Sequence, residues 1–228
     1  MCLQVVGAFE RRGKSLKCED YFLAVDEVVN YIKSSNLQEW IIAVYLGGSM
    51  GRGDFVPGKS GIDIYIITKE ENSANEKLIT DTAQNIAVKR LPYLTDICDN
   101  PITIAFTTVD AIKSGNSWLG VGPEYFSFRE TSKLILGEDI KELIPVPSDE
   151  QIKCMSKQGL QILIDMIKNG TEPVIEDNVD YILKGLLELI FSALHFILSL
   201  KGIYCRGKKE MVEEYMKISS NETLKKTC

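Results

Sequence analysis

Apolar residues follow two different periods along the chain, and the change of period separates the predicted helices from the predicted strands. Between residues 20 and 32 they recur every three or four positions, which predicts an amphipathic helix. Residues 40–46 are apolar without interruption, as expected of a central strand that is covered on both faces. In residues 62–67 the even positions are all Ile, which predicts a strand whose odd-numbered face carries the chemistry.

The middle of the chain alternates helix and strand. A helix that begins at Asn72 or Ser73 is predicted to reach residue 89, and Pro92 ends it. Residues 102–107 predict a third strand, whose odd positions share the face of Asp63 if the two strands lie in register.

The last third of the chain has a helical pattern throughout. Residues 123–136 predict a helix that ends at Gly137, and the prolines that follow predict a linker. We therefore expect two domains, residues 1–147 and 148–228. The second is expected to be a small helical bundle with helices at 150–168, 178–201 and 207–218.

The helix over residues 181–200 is apolar enough to raise the question of a membrane span. Lys184, Glu188 and His195 each carry a cost at membrane depth, so we expect a buried bundle helix and no membrane. His195 is expected to be a hydrogen-bonded core histidine.

Composition and charge narrow the class of partner. The chain of 228 residues has a net charge of -6, whereas a nucleic-acid-binding protein needs clustered Lys and Arg. Its six cysteines show no paired spacing, and the N-terminal residues lack the apolar core of a secretory signal. We expect a cytoplasmic protein with a small-molecule partner and no nucleic acid.

The loop between the first two predicted strands is rich in glycine. Gly47 and Gly48 allow a tight turn and a close approach of the backbone to a ligand. Ser49 is placed to cap a short helix whose free N–H groups would face a phosphate. This pattern predicts contact with a nucleoside triphosphate, and a plain tight turn is the alternative.

This loop and the strand after it resemble a known family. Gly48-Ser49, Arg52-Gly53-Asp54 and Ser60-Gly61-Ile62-Asp63 are similar to the signature of the nucleotidyltransferase superfamily, in which Gly-Ser precedes an Asp-x-Asp pair. The later helices are most similar to aminoglycoside adenylyltransferases of the streptomycin and spectinomycin type. The resemblance implies an α+β fold: a nucleotidyltransferase-like mixed sheet with flanking helices, followed by a C-terminal helical bundle.

The resemblance also implies a reaction and a set of site residues. It implies transfer of a nucleoside monophosphate, AMP from ATP, to a hydroxyl of a small acceptor, with Mg²⁺ bound by Asp63. Gly48, Ser49 and Arg52 are the implied nucleotide contacts. Gly61 replaces the first carboxylate of the pair, and Thr103 falls at the position of the third, unless a shifted alignment brings Asp99 there as a catalytic residue.

Two hypotheses follow from this departure. The chain is either an adenylyltransferase-like enzyme or a non-catalytic member of the same fold that binds a nucleotide or a protein. Tyr65 is expected to pack beneath a helix, and Lys208 and Lys209 are expected to be a solvated helix start, with phosphate contact as the alternative.

Assembly is the last expectation. The sequence ends at Cys228, soon after the last apolar helix, so we expect an exposed apolar stripe there. A homodimer or a partner chain against residues 178–218 would cover it.

Overall fold

The computed structural model describes residues 16–117, 119, 124–169 and 179–226, with side chains described as far as residue 220. Its four strands are β1 (Ile41–Leu46), β2 (Ile62–Thr68), β3 (Ile102–Thr108) and β4 (Lys133–Gly137). They form one sheet in the order β3-β2-β1-β4. β1 is antiparallel to β2 and β4, and β2 is parallel to β3, so the sheet is mixed as predicted.

Helices precede, connect and follow the strands. Within the described ranges they are α1 (Cys18–Ser34), α2 (Gly48–Arg52), α3 (Ser73–Arg90), α4 (Pro92–Thr95), α5 (Val109–Ser114), α6 (Glu124–Thr131), α7 (Asp149–Asn169), α8 (Val179–Leu200) and α9 (Lys208–Lys226). The predicted helices around residues 20–32, 72–89, 150–168, 178–201 and 207–218 are therefore confirmed, apart from residue 178, which lies outside the described residues. Asn72 caps α3 as predicted, because its side chain accepts a hydrogen bond from the Asn75 N–H at 3.1 Å.

The alternation along β2 divides the core into two layers. Ile62, Ile64 and Ile66 are fully buried in one cluster with α1 and α3. The odd-numbered side of β2 faces α5 and α6, where Ile67 packs in a second cluster with Phe128. The predicted chemical face of β2 therefore lies on the α6 side of the sheet.

One prediction of secondary structure was wrong. The helix expected over residues 123–136 ends at Thr131, and the next residues form β4. β4 pairs with the free edge of β1, where Leu136 lies opposite Val44 and Leu134 opposite Tyr45. Strand pairing satisfies the backbone groups of both segments, and this tertiary gain outweighs the local helical pattern.

Gly137 ends β4 in a conformation that other residues rarely adopt. Its φ is +86°, and a Cβ atom built there would lie 2.0 Å from the carbonyl oxygen of Ile42 on β1. The chain can turn away from the sheet here only because residue 137 has no side chain.

α8 is not the buried bundle helix that the sequence predicted. It packs against α7 and α9, yet only 11% of its most apolar window is buried. Within the described ranges, this one helix is long and apolar enough to cross a membrane by length and composition. Its polar residues lie on the face toward the sheet domain, and most of its aliphatic residues face outward.

The geometry at Gly137 makes a stability prediction. Gly137→Ala is expected to lower the free energy of unfolding by about 3 kcal/mol or more, since a positive φ and a backbone clash act together. Gly202→Ala is the matched control, because Gly202 also has a positive φ but no atom within 4 Å of its Cβ position. The control should cost about 1 to 2 kcal/mol. Urea unfolding that gives equal losses for the two variants would contradict the clash at β1.

Candidate active site

The turn after β1 is shaped by two side chains of β2. A Cβ atom on Gly47 would lie 2.0 Å from the ring of Tyr65, and a Cβ atom on Gly48 would lie 1.8 Å from Oδ2 of Asp63. The Gly47 N–H also donates to the Asp63 carbonyl at 2.8 Å. Both glycines are therefore required, and they place the Asp63 carboxylate directly against the start of α2.

Ser49 lies inside the first turn of α2 and does not cap it, contrary to the prediction. The N-cap is Gly47, and it has no side chain to offer. The first hydrogen bond within the helix runs from the Gly51 N–H to the Gly47 carbonyl at 2.7 Å. The N–H groups of Ser49 and Met50 are thus not used inside the helix. Because α2 has only five residues, its dipole is weak and the attraction for phosphate must come mainly from charged side chains.

Tyr65 fills the space beside this turn. Its ring packs against Phe128 of α6 at 5.6 Å between centroids, as expected of a residue beneath a helix. Burial raises the pKa of Tyr65, and Asp63 adds to the rise, while a hydrogen bond from the Gly48 backbone partly offsets it. Tyr65 is therefore a neutral phenol that holds the glycine turn in place.

Asp63 is a half-buried carboxylate in a field of mixed charge. Burial raises its pKa, and the negative charge of Glu188 raises it further. Arg52, Lys208 and Lys184 lower the pKa and only partly offset the first two effects. Three of these four charged residues lie on α8 and α9. Helices α7, α8 and α9, called the helical segment below, therefore form one side of the site, its charged wall.

The position opposite Asp63 on β3 holds a hydroxyl. β2 and β3 are in parallel register, with Asp63 paired with Thr103 and Tyr65 with Ala105, which confirms the predicted shared face. Asp99 lies before β3 begins, and its carboxylate accepts a hydrogen bond from the Tyr181 hydroxyl at 2.9 Å. Thr103, not Asp99, is therefore the neighbour of Asp63 on the sheet.

The space for a side chain at residue 61 is narrow. Its φ is not positive, and a Cβ atom would lie 3.2 Å from the Pro101 carbonyl oxygen. An aspartate at this position needs a shift of a few tenths of an ångström, and nothing in the backbone conformation forbids it.

The α8–α9 turn closes the side of the site near α2. The Cβ position of Gly207 is 2.8 Å from Nε of Arg52, and Arg52 pairs with Asp54 at 3.2 Å. The next residue, Lys208, pairs with Glu188 at 2.7 Å and lies 5.0 Å from the centre of the Phe191 ring. The predicted Arg52 therefore touches both segments, and Lys208 is part of the site's charged wall.

His195 differs from its prediction in one respect. Burial lowers its pKa, as expected of a core histidine, and the charge of Glu124 acts in the opposite direction. Its Nε2 atom is buried without a hydrogen-bond partner in the described part of the chain. Lys209 points to Glu213 at 3.9 Å on the exposed side of α9, as predicted for a solvated helix start.

The described residues contain no group of three or more metal-ligating side chains. Asp63 is the one fixed carboxylate of the odd-numbered face of β2. Mg²⁺ in nucleotide sites is commonly held by one or two carboxylates together with phosphate oxygens and water. The half-buried Asp63, disfavoured as a bare anion, fits such a cation when a nucleotide supplies the remaining oxygens.

Sequence reasoning missed two residues of this wall, Lys184 and Glu188. Both were noticed only as charges that disfavour a membrane span. They are four residues apart and so lie on one face of an otherwise apolar helix. This spacing was the available signal that the face has a polar neighbour.

Comparison with known proteins agrees with this geometry. The nucleotidyltransferase domain model matches residues 25–112, which include the Gly-Ser turn, Asp63 and β3. Among solved structures, the spectinomycin adenyltransferase AAD(9) from Enterococcus faecialis, crystallised with ATP and spectinomycin, is 16% identical. The match covers 81% of this chain and 78% of that one, with a TM-score of 0.51.

A second solved structure, a candidate nucleotidyltransferase from Sulfolobus solfataricus, is 17% identical. The match covers 57% of this chain and 93% of that one, with a TM-score of 0.32. No curated protein matches the chain. The predicted resemblance is thus confirmed: residues 25–112 match the nucleotidyltransferase domain model, and the fold is similar to that of a spectinomycin adenyltransferase.

Proposed function

We propose that the protein transfers a nucleoside monophosphate, AMP from ATP, to a hydroxyl group of a small acceptor. The observation that carries this proposal is the contact between Asp63 and the Gly47-Gly48 turn, because it brings a carboxylate to the loop that would hold the phosphates. The nucleotidyltransferase domain match spans the same residues.

The nucleotide contacts follow from the charges around this turn. Gly48 and Ser49 approach the triphosphate with backbone and hydroxyl groups, and Arg52 lies at the end of the same short helix. Lys184 and Lys208 face the same carboxylate from the helical segment. Arg52, Lys184 and Lys208 around Asp63 suit a ligand with about four negative charges. They make this site locally basic in a chain whose net charge is -6.

The proposed step is a substitution at the α-phosphorus of ATP. The acceptor oxygen forms a bond to this phosphorus, the bond to the β-phosphate oxygen breaks, and pyrophosphate leaves. The acceptor proton passes to a base, and we propose Asp99 for this role from the loop before β3, not from the position opposite Asp63 that the sequence prediction gave it. Its hydrogen bond from Tyr181 on α8 links this base to the helical segment that would hold the acceptor.

Asp63 would hold Mg²⁺ together with phosphate oxygens. A bound Mg²⁺ supplies charge neutralisation at the α-phosphate and orients the triphosphate. The carboxylate must be ionised to hold the cation. Because the pKa of Asp63 is raised, nucleotide binding should be lost on acidification at a higher pH than it would be with an ordinary aspartate.

A second candidate function is nucleotide binding without transfer. Gly61 and Thr103 occupy the two other carboxylate positions, and this observation favours a member of the fold that keeps the scaffold and lacks turnover. The two functions differ in one measurement: the enzyme releases pyrophosphate from ATP when a suitable acceptor is present, and the binding protein does not.

Nucleotide binding is the first test of the proposal. Calorimetry is expected to show that Mg²⁺ with ATP binds the wild-type protein, and that Ser49→Ala weakens binding by about 1 to 2 kcal/mol, the usual loss for a hydrogen bond to a charged group. Ser219→Ala on α9 is the control, with no expected change. Absence of ATP binding to the wild-type protein would remove both the enzyme and the nucleotide-binding candidates.

Asp63→Asn should separate function from stability. We expect it to abolish Mg²⁺-dependent ATP binding and, at neutral pH, to raise the melting temperature of the ligand-free protein. The reason is that the pKa of Asp63 is raised in the folded state, so its charge destabilises the native protein above that pKa. As the pH falls through this pKa, the native carboxylate takes up a proton before the unfolded one does, and the stability gain of the variant should vanish.

Asp26→Asn, on the exposed face of α1, is the matched control for this experiment. Thermal unfolding measured between neutral and acidic pH provides the comparison. A gain that does not depend on pH, or a loss of stability at neutral pH, would contradict the assigned environment of Asp63.

We also propose that the outward face of the helical segment is covered by a second copy of the chain. Ten aliphatic side chains on α7 and α8 are between 41% and 69% exposed: Ile162, Ile164, Met166, Ile167, Val179, Ile182, Leu183, Leu186, Leu187 and Ile190. Ten such side chains are enough to form a patch of the size that each partner buries in a standard interface, roughly 800 Å². A two-fold related copy presents the same uncharged face and so matches it.

A bilayer is the other apolar environment for this face. The polar side of α8 is tied to the sheet domain by Tyr181 to Asp99 and by Lys184 to the Lys59 carbonyl at 3.2 Å. We propose that these contacts hold the helix along the sheet domain, and this favours a second copy of the chain over a bilayer.

Light scattering is expected to give a dimer whose dissociation constant rises at least tenfold in Leu186→Glu. Val88→Glu, on an exposed position of α3, is the control. A monomeric wild-type protein would contradict the proposal, and so would a protein that sediments with phosphatidylcholine vesicles.

A further inference from the structure

The sheet provides one carboxylate to a site whose chemistry normally uses more than one. Asp63 is alone on its face of β2 and β3, because residue 61 is Gly and residue 103 is Thr. A divalent cation that bridges phosphates is held more firmly when a second carboxylate faces the first. A second carboxylate for such a cation must therefore come from another part of the fold.

One anchor of α8 lies next to the missing carboxylate. The Lys184 ammonium donates to the Lys59 carbonyl at 3.2 Å, and Lys59 is two residues before Gly61 in the loop that enters β2. Glu188 follows Lys184 by one helical turn, so it projects from the same face of α8. Glu188 therefore lies on the face of α8 that contacts the loop entering β2.

A second anchor fixes Glu188 from the other side. Its Oε1 atom is 2.7 Å from Nζ of Lys208, the first residue of α9. The preceding residue, Gly207, lies against Arg52, at the end of the helix whose first residue touches the Asp63 carboxylate. Glu188 thus shares a helix face with the contact to the loop before Gly61, and it pairs with the start of α9, which contacts the end of α2.

The charges also bear on this arrangement, because Glu188 and Asp63 carry the same sign. Two carboxylates facing one another without a cation repel each other, and a divalent ion between them removes that repulsion.

We infer that Glu188 is the second protein carboxylate of the divalent-cation site and performs from α8 the role that Gly61 cannot perform from β2. The inference rests on the proposed function and adds to it a residue from the helical segment. It gives the cation ligands from two separate parts of the chain.

Lys208 has a matching role in this arrangement. In the absence of a cation its ammonium is the partner of Glu188, and the side chains of Lys208 and Glu188 are 47% and 53% exposed, so the ion pair borders solvent. A divalent ion held by the Glu188 carboxylate would leave the Lys208 ammonium available to the phosphates. Cation and nucleotide are then expected to bind with positive cooperativity.

Mn²⁺ is a suitable probe, since its binding can be followed by electron paramagnetic resonance in the presence of a non-hydrolysable ATP analogue. Glu188→Gln is expected to weaken Mn²⁺ binding in this ternary complex by about 10-fold to 100-fold. Glu213→Gln, an exposed acidic residue of α9, is the matched control and should leave Mn²⁺ binding unchanged.

Affinity for the ATP analogue without metal separates a cation ligand from a residue that merely orders Lys208. If Glu188 holds the cation, Glu188→Gln leaves metal-free affinity unchanged or increases it, because a negative charge near the phosphates has gone. If Glu188 only orders Lys208, the variant loses metal-free affinity to the same extent as Mn²⁺ affinity, and the inference is overturned.

Rescue provides the third readout. Gly61→Asp combined with Glu188→Gln returns a second carboxylate to the site from the strand. This double variant is expected to bind Mn²⁺ at least tenfold more tightly than Glu188→Gln alone. A double variant with wild-type circular dichroism and no recovery would overturn the inference, as would wild-type Mn²⁺ affinity in Glu188→Gln alone. A wild-type protein that binds neither ATP nor Mn²⁺ with ATP would instead refute the proposed function.

Discussion

The candidate site depends on two glycines, Gly47 and Gly48, whose missing side chains leave space for two side chains of β2. Tyr65 occupies the volume where a side chain of residue 47 would be, and the Asp63 carboxylate occupies that of residue 48. Any other residue at either position would separate the turn from the strand. Because this contact fixes the turn, it also fixes the direction of α2 and the position of Arg52 at its end. The nucleotide contacts, the acidic group and the link between β1 and β2 thus follow from one steric constraint.

Most of the sheet domain could be predicted because its local patterns and its tertiary environment agree. The uninterrupted apolar run of β1 gave a central strand, and β1 does lie between β2 and β4. The alternation in β2 was correct to the residue, and the register with β3 followed from it. β4 was missed because residues 133–137 have no strong strand pattern, and only the open edge of β1 decides their conformation.

The site was predictable where it is continuous in sequence and missed where it is assembled by folding. Gly48, Asp63 and Arg52 lie within one loop and strand, and the resemblance of that stretch to the nucleotidyltransferase signature pointed to phosphate chemistry. The contribution of α8 depends on how a helix more than 100 residues away docks onto the sheet, which no local pattern records. The expected cap at Ser49 failed for a related reason, since the helix begins at Gly48, two residues earlier than a cap at Ser49 would place it, where the Asp63 carboxylate leaves room only for glycine.

The location of α8 links nucleotide binding to assembly. One face of this helix carries Lys184 and Glu188 to the site, and the opposite face carries the exposed aliphatic residues. A cation shared by Asp63 and Glu188 would hold α8 against the sheet, and it would thereby fix the orientation of the aliphatic face. Conversely, a second copy bound to that face would hold α8 in place and reduce the entropy lost when the cation and nucleotide bind. If both proposals hold, each event makes the other more favourable by the same free energy, because linkage between two binding equilibria is reciprocal. The lone carboxylate of β2 then has a physical consequence: cation binding comes to depend on the helical segment, whereas a complete Asp-x-Asp pair would bind the cation from the sheet alone.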